Sequence, residues 1–103
     1  MGIANELITR GWHQGAIEGP DGSVCLSGAV FAAVYGVPQL AFASQNLLRD
    51  DALTRVCQQA SNVVASLIER AGGRPFAPWN DAPERTFDEV LRVAKETDEL
   101  LGL

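Results

Sequence analysis

DALTRVCQQASNVVASLIERAGG, residues 51–73, decides the fold. Leu53, Val56, Cys57, Ala60, Val63, Val64, Leu67, Ile68 and Ala71 recur at three- and four-residue spacing over about five helical turns. That period places them on one face of an amphipathic helix. Asp50 or Asp51 can accept hydrogen bonds from the free N–H groups of its first turn, and Gly72-Gly73 after Arg70 supplies a left-handed stop. A helix with so broad an apolar face needs other helices to cover it, so the sequence predicts an all-α fold.

Upstream, residues 40–48 repeat the helical pattern in a shorter form. Before them, CLSGAVFAAVY (residues 25–35) is apolar nearly all round, which marks a buried central helix. Its small residues Gly28, Ala29, Ala32 and Ala33 let neighbouring helices approach, and Gly36 and Pro38 end it. In AIEGPDGSV (residues 16–24), Pro20 takes the second position of a type I turn closing on Gly22. Its flanks allow a very short β-hairpin near residues 16–24. The first helix spans Ile3 to Arg10, with Ile3, Leu7 and Ile8 inward, Gly11 at its end and Trp12 folded back onto the apolar side.

Downstream, PFAPWNDAPERTFDEV (residues 75–90) admits two readings. As a site, Asn80 and Asp81 form a polar pair beside the aromatic wall of Trp79, with Asp81 as base and Arg85 as anion holder. As a structural clamp, prolines 75, 78 and 83 stiffen a helix-free crossing from Gly72 to Thr86. Asn80 and Asp81 then bond their own turn, while Phe76 and Trp79 plug the core. The clamp accounts for every residue in the stretch. Thr86-Phe87-Asp88-Glu89 follows as a capping box that starts the last helix, lined by Phe87, Val90, Leu91, Ala94 and Leu101. The whole is expected to be a single small bundle of four or five helices over residues 1–103.

Net charge is −5. Between Asp81 and Glu99 stand seven acids (Asp81, Glu84, Asp88, Glu89, Glu96, Asp98, Glu99) against three bases (Arg85, Arg92, Lys95). A chain without a basic stripe lacks the phosphate-neutralising side chains that drive nucleic-acid affinity, so direct DNA or RNA binding is not expected. An acidic face suits a basic protein partner, or is simply a solvated helix face. No apolar run reaches the roughly 18–20 residues of a membrane span. MGIANELITRGW lacks a basic stretch followed by an apolar block, so no secretory leader is read there and a cytoplasmic location is expected. In that setting Cys25 and Cys57 are expected as free thiols.

Catalytic signals are weak one by one. His13 is the only histidine and cannot build a multi-histidine metal centre. CLSGA lacks a nucleophile elbow, and nothing marks an acid to orient His13. Gly19-Pro20-Asp21-Gly22 is a turn rather than a phosphate loop. Asp88-Glu89 and Asp98-Glu99 are helical neighbours that point to different sides. No catalytic residue, metal site or cofactor is assigned.

GWHQGAIEGPDGSVC (residues 11–25), LSGAVFAA (26–33) and WNDAPERTFDEVL (79–91) together resemble an uncharacterised domain family of actinobacteria and their phages. Members carry Trp-x-Gln-Gly-Ala, a Cys-leading Gly-Ala helix and Asn-Asp-Ala-Pro-x-Arg-Thr before the last helix. The resemblance covers about residues 3 to 101 and implies a source but no mechanism. The expected function is that of a small acidic, non-enzymatic interaction protein, phage-encoded or phage-derived, that binds a host or phage protein. Its contact residues are expected among Trp12, Trp79, Asn80, Asp81, Arg85, Asp88, Glu89 and Glu96. Two alternatives stand beside it. One is a small enzyme or ligand-binding domain using His13 with Asn80 and Asp81, which must then meet around one concave pocket. The other is a self-associating protein, a homodimer through the apolar face around Val63, Val64, Leu67 and Ile68.

Overall fold

The computed structural model describes residues 2–37, 51–70 and 76–102. Within them the chain is all-α, with α1 (Ile3–Arg10), α2 (Leu26–Tyr35), α3 (Asp51–Arg70), α4 (Phe76–Asp81) and α5 (Phe87–Leu101). The helix expected over 40–48, the Gly72-Gly73 stop and the Phe76 side chain lie outside the described residues.

The apolar α2 is the centre, packed against α1, α3 and α4, with Leu26, Ala29, Val30, Ala32, Ala33 and Tyr35 buried. Cys25 caps it rather than belonging to it: its sulfur accepts from the Gly28 N–H at 3.4 Å. Gly28 has a packing reason, since a Cβ there would stand 2.5 Å from the Ile17 carbonyl oxygen. The chain therefore lays residues 16–18 directly on the first turn of α2.

The broad face of α3 is covered within the chain. Cys57, Ala60, Val64, Leu67 and Ile68 are buried, Leu53 and Val63 pack on them in part, and α2, α4 and α5 form the cover. On α5 the buried set is Val90, Val93, Ala94 and Thr97, with Phe87, Leu91 and Leu101 half-buried at the margin. The buried Thr97 hydroxyl loses nothing by burial, because it donates to the Val93 carbonyl at 2.8 Å.

Two expectations are corrected here. On α1 the inward residues are Ile3, Ala4 and Leu7, whereas Ile8 is 60% exposed. One residue is about 100° of helix, enough to turn Ile8 past the edge of a narrow interface. The crossing from Gly72 to Thr86 is not helix-free, since it contains α4. The prolines permit this: Pro78 sits in the first turn, where no intrahelical N–H bond is lost, and Pro83 lies beyond the last.

The turn at Gly19–Gly22 closes by a Gly22 N–H bond to the Gly19 carbonyl at 3.1 Å. The hairpin shrinks to isolated bridges, Glu18 antiparallel to Val24 and Trp12 parallel to Val24. Val24, fully buried, thus ties together the end of α1, the turn and the start of α2.

The start of α1 is secured from the opposite end of the chain. Asp98 Oδ1 accepts from the Ile3 N–H at 2.8 Å and Oδ2 from the Ala4 N–H at 3.0 Å. A carboxylate at these free N–H groups also opposes the positive end of the helix dipole. Gly2 leaves room for it, because a Cβ there would come within 3.1 Å of Asp98 Oδ2.

Candidate functional site

Among the described residues the most connected polar side chain is Asn80, at the C-terminal end of α4 and 1% exposed. Its side-chain oxygen accepts from Trp12 Nε1 at 2.8 Å and from the Leu26 N–H at 3.1 Å. Its amide nitrogen donates to the His13 carbonyl at 3.1 Å and to Asp81 Oδ1 at 2.9 Å. A side-chain amide has two donors and two acceptor positions, so Asn80 is saturated. This corrects the expectation that Asn80 bonds its own turn: it joins three separate segments.

Neighbouring side chains complete the joint. Gln14 Nε2 donates to the carbonyls of Asn80 and Ala82 at 2.9 and 3.0 Å, satisfying groups that the end of α4 leaves free. The Gly15 N–H donates to Asp81 Oδ1 at 3.0 Å. Arg85 Nε donates to the Trp79 carbonyl at 2.9 Å, and its guanidinium carbon lies 4.2 Å from the centre of the Trp79 ring. The same Arg85 pairs with Glu89 at 2.8 Å. Trp12 stacks on Phe87 with ring centres 6.4 Å apart and planes 11° from parallel. Trp12-His13-Gln14-Gly15 and Trp79-Asn80-Asp81-Ala82 with Arg85 are therefore two halves of one interlocked joint.

The expected contact residues divide accordingly. Trp79 and Asn80 are buried and Trp12 is half-buried, all three inside the joint. Arg85 is half-buried and committed to Trp79 and Glu89. Glu89 is exposed, and its carboxylate closes the capping box by accepting from the Thr86 N–H at 3.0 Å. That backbone bond, with Arg85 beside it, holds the Glu89 carboxyl below its usual range. Asp88 and Glu96 are exposed on the outer side of α5, and Asp81 is exposed at the edge of the joint.

His13 meets Asn80 only through its backbone. Its imidazole lies over Gly19, where a Cβ would stand 2.6 Å from Nδ1 and 2.9 Å from Ser23 Oγ. Asp21 is beside this group, but its Oδ1 takes the Ser23 hydroxyl and N–H, and these bonds hold its carboxyl below the usual range. The Ser23 hydroxyl is thus donated to a carboxylate of lowered basicity and not to the imidazole, so no His13–Ser23 nucleophile–base pair forms.

One concavity adjoins the joint, with a volume of about 470 Å³, lined by Gly15, Ala16, Ile17, Cys25, Ser27, Phe31 and Asp81. His13 and Asn80 do not line it. Burial raises the Cys25 thiol above its usual range, with the Asp81 charge acting in the same direction. Burial likewise raises Cys57, and both cysteines are free thiols. Among the described residues no group of three or more His, Cys, Asp or Glu side chains is placed to hold a metal ion, and no helix is long and apolar enough to cross a membrane. The sequence reading found Asp81 but not Ala16, Ile17, Cys25, Ser27 or Phe31 as its neighbours. Only Gly28, whose absent side chain brings residue 17 onto α2, was a visible sign of that meeting.

Fold and joint together define a small helical domain in which the loop after α1 locks the end of the short α4 against the start of α2. The chain belongs to DUF6197, a family of unknown function, whose model matches residues 2–99. No curated protein and no solved structure matches it.

Proposed function

We propose that this protein is a small, non-enzymatic interaction protein, a host-modulating accessory factor of phage or prophage origin, which docks a protein partner on the outer face of α5. One observation supports this reading. Asp88, Arg92, Lys95, Glu96 and Glu99, with Leu91, line a shallow depression of about 530 Å³. None of these five charged side chains has an ion pair or side-chain hydrogen bond among the described residues. The other acids of α5 with internal work, Glu89 and Asp98, are occupied by Thr86, Arg85 and the start of α1. The free groups number three acids and two bases, so the surface suits a partner of alternating charge with an apolar group for Leu91. Charges at the rim of such a contact steer association and fix register more than they add affinity.

Catalysis through His13 with Asn80 and Asp81 has less support, because His13 does not line the concavity and meets Asn80 only through its backbone carbonyl. Self-association through Val63, Val64, Leu67 and Ile68 has less support too, because that face is occupied within the chain.

The test is capture from actinobacterial lysate with tagged wild-type protein and with the Glu96→Lys/Glu99→Lys double variant, each checked by thermal melting. One stoichiometric protein, captured by the wild type and lost from an equally stable variant, is the expected result. Capture that survives the charge reversal, or a wild-type bait that captures nothing, overturns the reading.

A further inference from the structure

We propose that the concavity between residues 15–17 and the start of α2 is a binding site for a small organic ammonium ion, with Asp81 as its counter-ion. The inference is independent of the α5 surface. Ligand sites are mostly apolar hollows of about 300–1,000 Å³ with a few placed polar groups, and this one measures about 470 Å³. Its walls are Ala16, Ile17 and Phe31, with Ile17 41% exposed at the rim. A carboxylate is the sole full charge among the described lining residues.

That carboxylate is set in place before any ligand arrives. Asp81 Oδ1 is held by the Gly15 N–H at 3.0 Å and by Asn80 Nδ2 at 2.9 Å. Oδ2 has no hydrogen bond among the described residues. Among the described residues no cation pairs with it, and Arg85, four positions along the chain, is committed to Trp79 and Glu89. A fixed anion on an apolar wall selects a cation carrying an apolar body, and Phe31 adds an aromatic surface for the charge to approach. Anions are repelled, and neutral apolar molecules leave the carboxylate partly desolvated without compensation.

An alkylammonium head can come from a free amine or from a lysine side chain of a peptide, and the experiment separates the two. Amide resonances of the ¹⁵N-labelled protein are followed during titration with n-pentylammonium, with n-pentanol, and with Nα-acetyl-lysine amide. The expected result is saturable shifts at Gly15, Ala16, Ile17, Ser27 and Phe31 with pentylammonium, at least about tenfold tighter than with pentanol. Saturation by the lysine amide as well assigns the site to a peptide side chain, and its failure to bind assigns the site to free amines. Equal affinity for amine and alcohol, or shifts confined to other residues, overturns the proposal without recourse to any variant. Asp81→Asn keeps the oxygen that accepts from Gly15 and removes the charge, and it should weaken pentylammonium about tenfold while leaving pentanol unchanged.

Discussion

Removing the Asn80 side chain tests whether the interlocked joint holds the fold. In Asn80→Ala the Leu26 N–H loses its acceptor at a fully buried position. A buried donor left unpaired costs about 1–3 kcal/mol. Trp12 Nε1 and the His13 carbonyl each lose a bond at half-buried positions. Water reaches these in part, so about 0.5–1.5 kcal/mol apiece is the appropriate scale. The sum is about 2–6 kcal/mol, with a midpoint near ~4, against a total stability of roughly 5–15 kcal/mol for a domain of this size. A chain of about this length loses about 4–8 °C per kcal/mol, so a loss of about 4 kcal/mol should lower melting by roughly 15–30 °C. Urea unfolding followed by far-UV circular dichroism gives the free energy directly. Trp12→Phe keeps an aromatic ring beside Phe87 but deletes the indole donor together with part of the packed surface; alone it should cost about 1–3 kcal/mol, and the double variant should show a coupling of about 1 kcal/mol. Asn80→Asp keeps the acceptor but sets a second carboxylate on Asp81 Oδ1. Burial and the neighbouring charge raise the pKa of the introduced group when folded, so its penalty should be full near neutral pH and shrink as pH falls and the group protonates. A loss below about 1 kcal/mol in Asn80→Ala, with additive behaviour in the cycle, refutes the argument that these bonds hold the helices together.

Other perturbations address separate contacts. Asp98→Ala leaves the Ile3 and Ala4 N–H groups without their cap and should cost about 1–2 kcal/mol, read as a shift in the urea midpoint with unchanged slope. The lowered Glu89 carboxyl contributes stability that is complete above its unfolded value, near 4.5, and is lost as pH falls through the folded one. Glu89→Gln should therefore be less stable than wild type at neutral pH, and the gap should narrow on acidification. Cys25 and Cys57, buried and with thiols raised by burial, should react slowly with a disulfide reagent at pH near 8 and rapidly in guanidinium. Fast reaction of either in the native protein would contradict its burial.

The helical class was legible because it rests on local period. The stripe through Leu53, Cys57, Ala60, Val64 and Ile68, the all-round apolar 25–35 segment and the Thr86–Glu89 capping box each depend on residues within a few positions of one another. These reappear as α3, α2 and the start of α5. Local period also explains the misplacement of Ile8, since a narrow helix interface distinguishes neighbours that a sequence stripe groups together. The short α4 escaped notice because prolines at 75, 78 and 83 suggest a break when their positions relative to the helix start are unknown.

Asn80, Asp81 and Trp12 were picked out as polar and aromatic residues in loop-like stretches, but nothing in a linear sequence joins position 80 to positions 12, 13 and 26. Hydrogen bonds have no period, and a partner 68 residues away leaves no trace in local spacing. The same holds for Asp98, which stood in the sequence as one acid in a charged run and caps a helix at the other end of the chain. What the sequence by itself determined is the set of helices and their apolar faces, because burying those faces is the main driving force and is written residue by residue. Which polar side chains are spent inside, and which, like Glu96, are left exposed on the surface, was decided only when the tertiary structure brought distant donors and acceptors within 3 Å or so of each other.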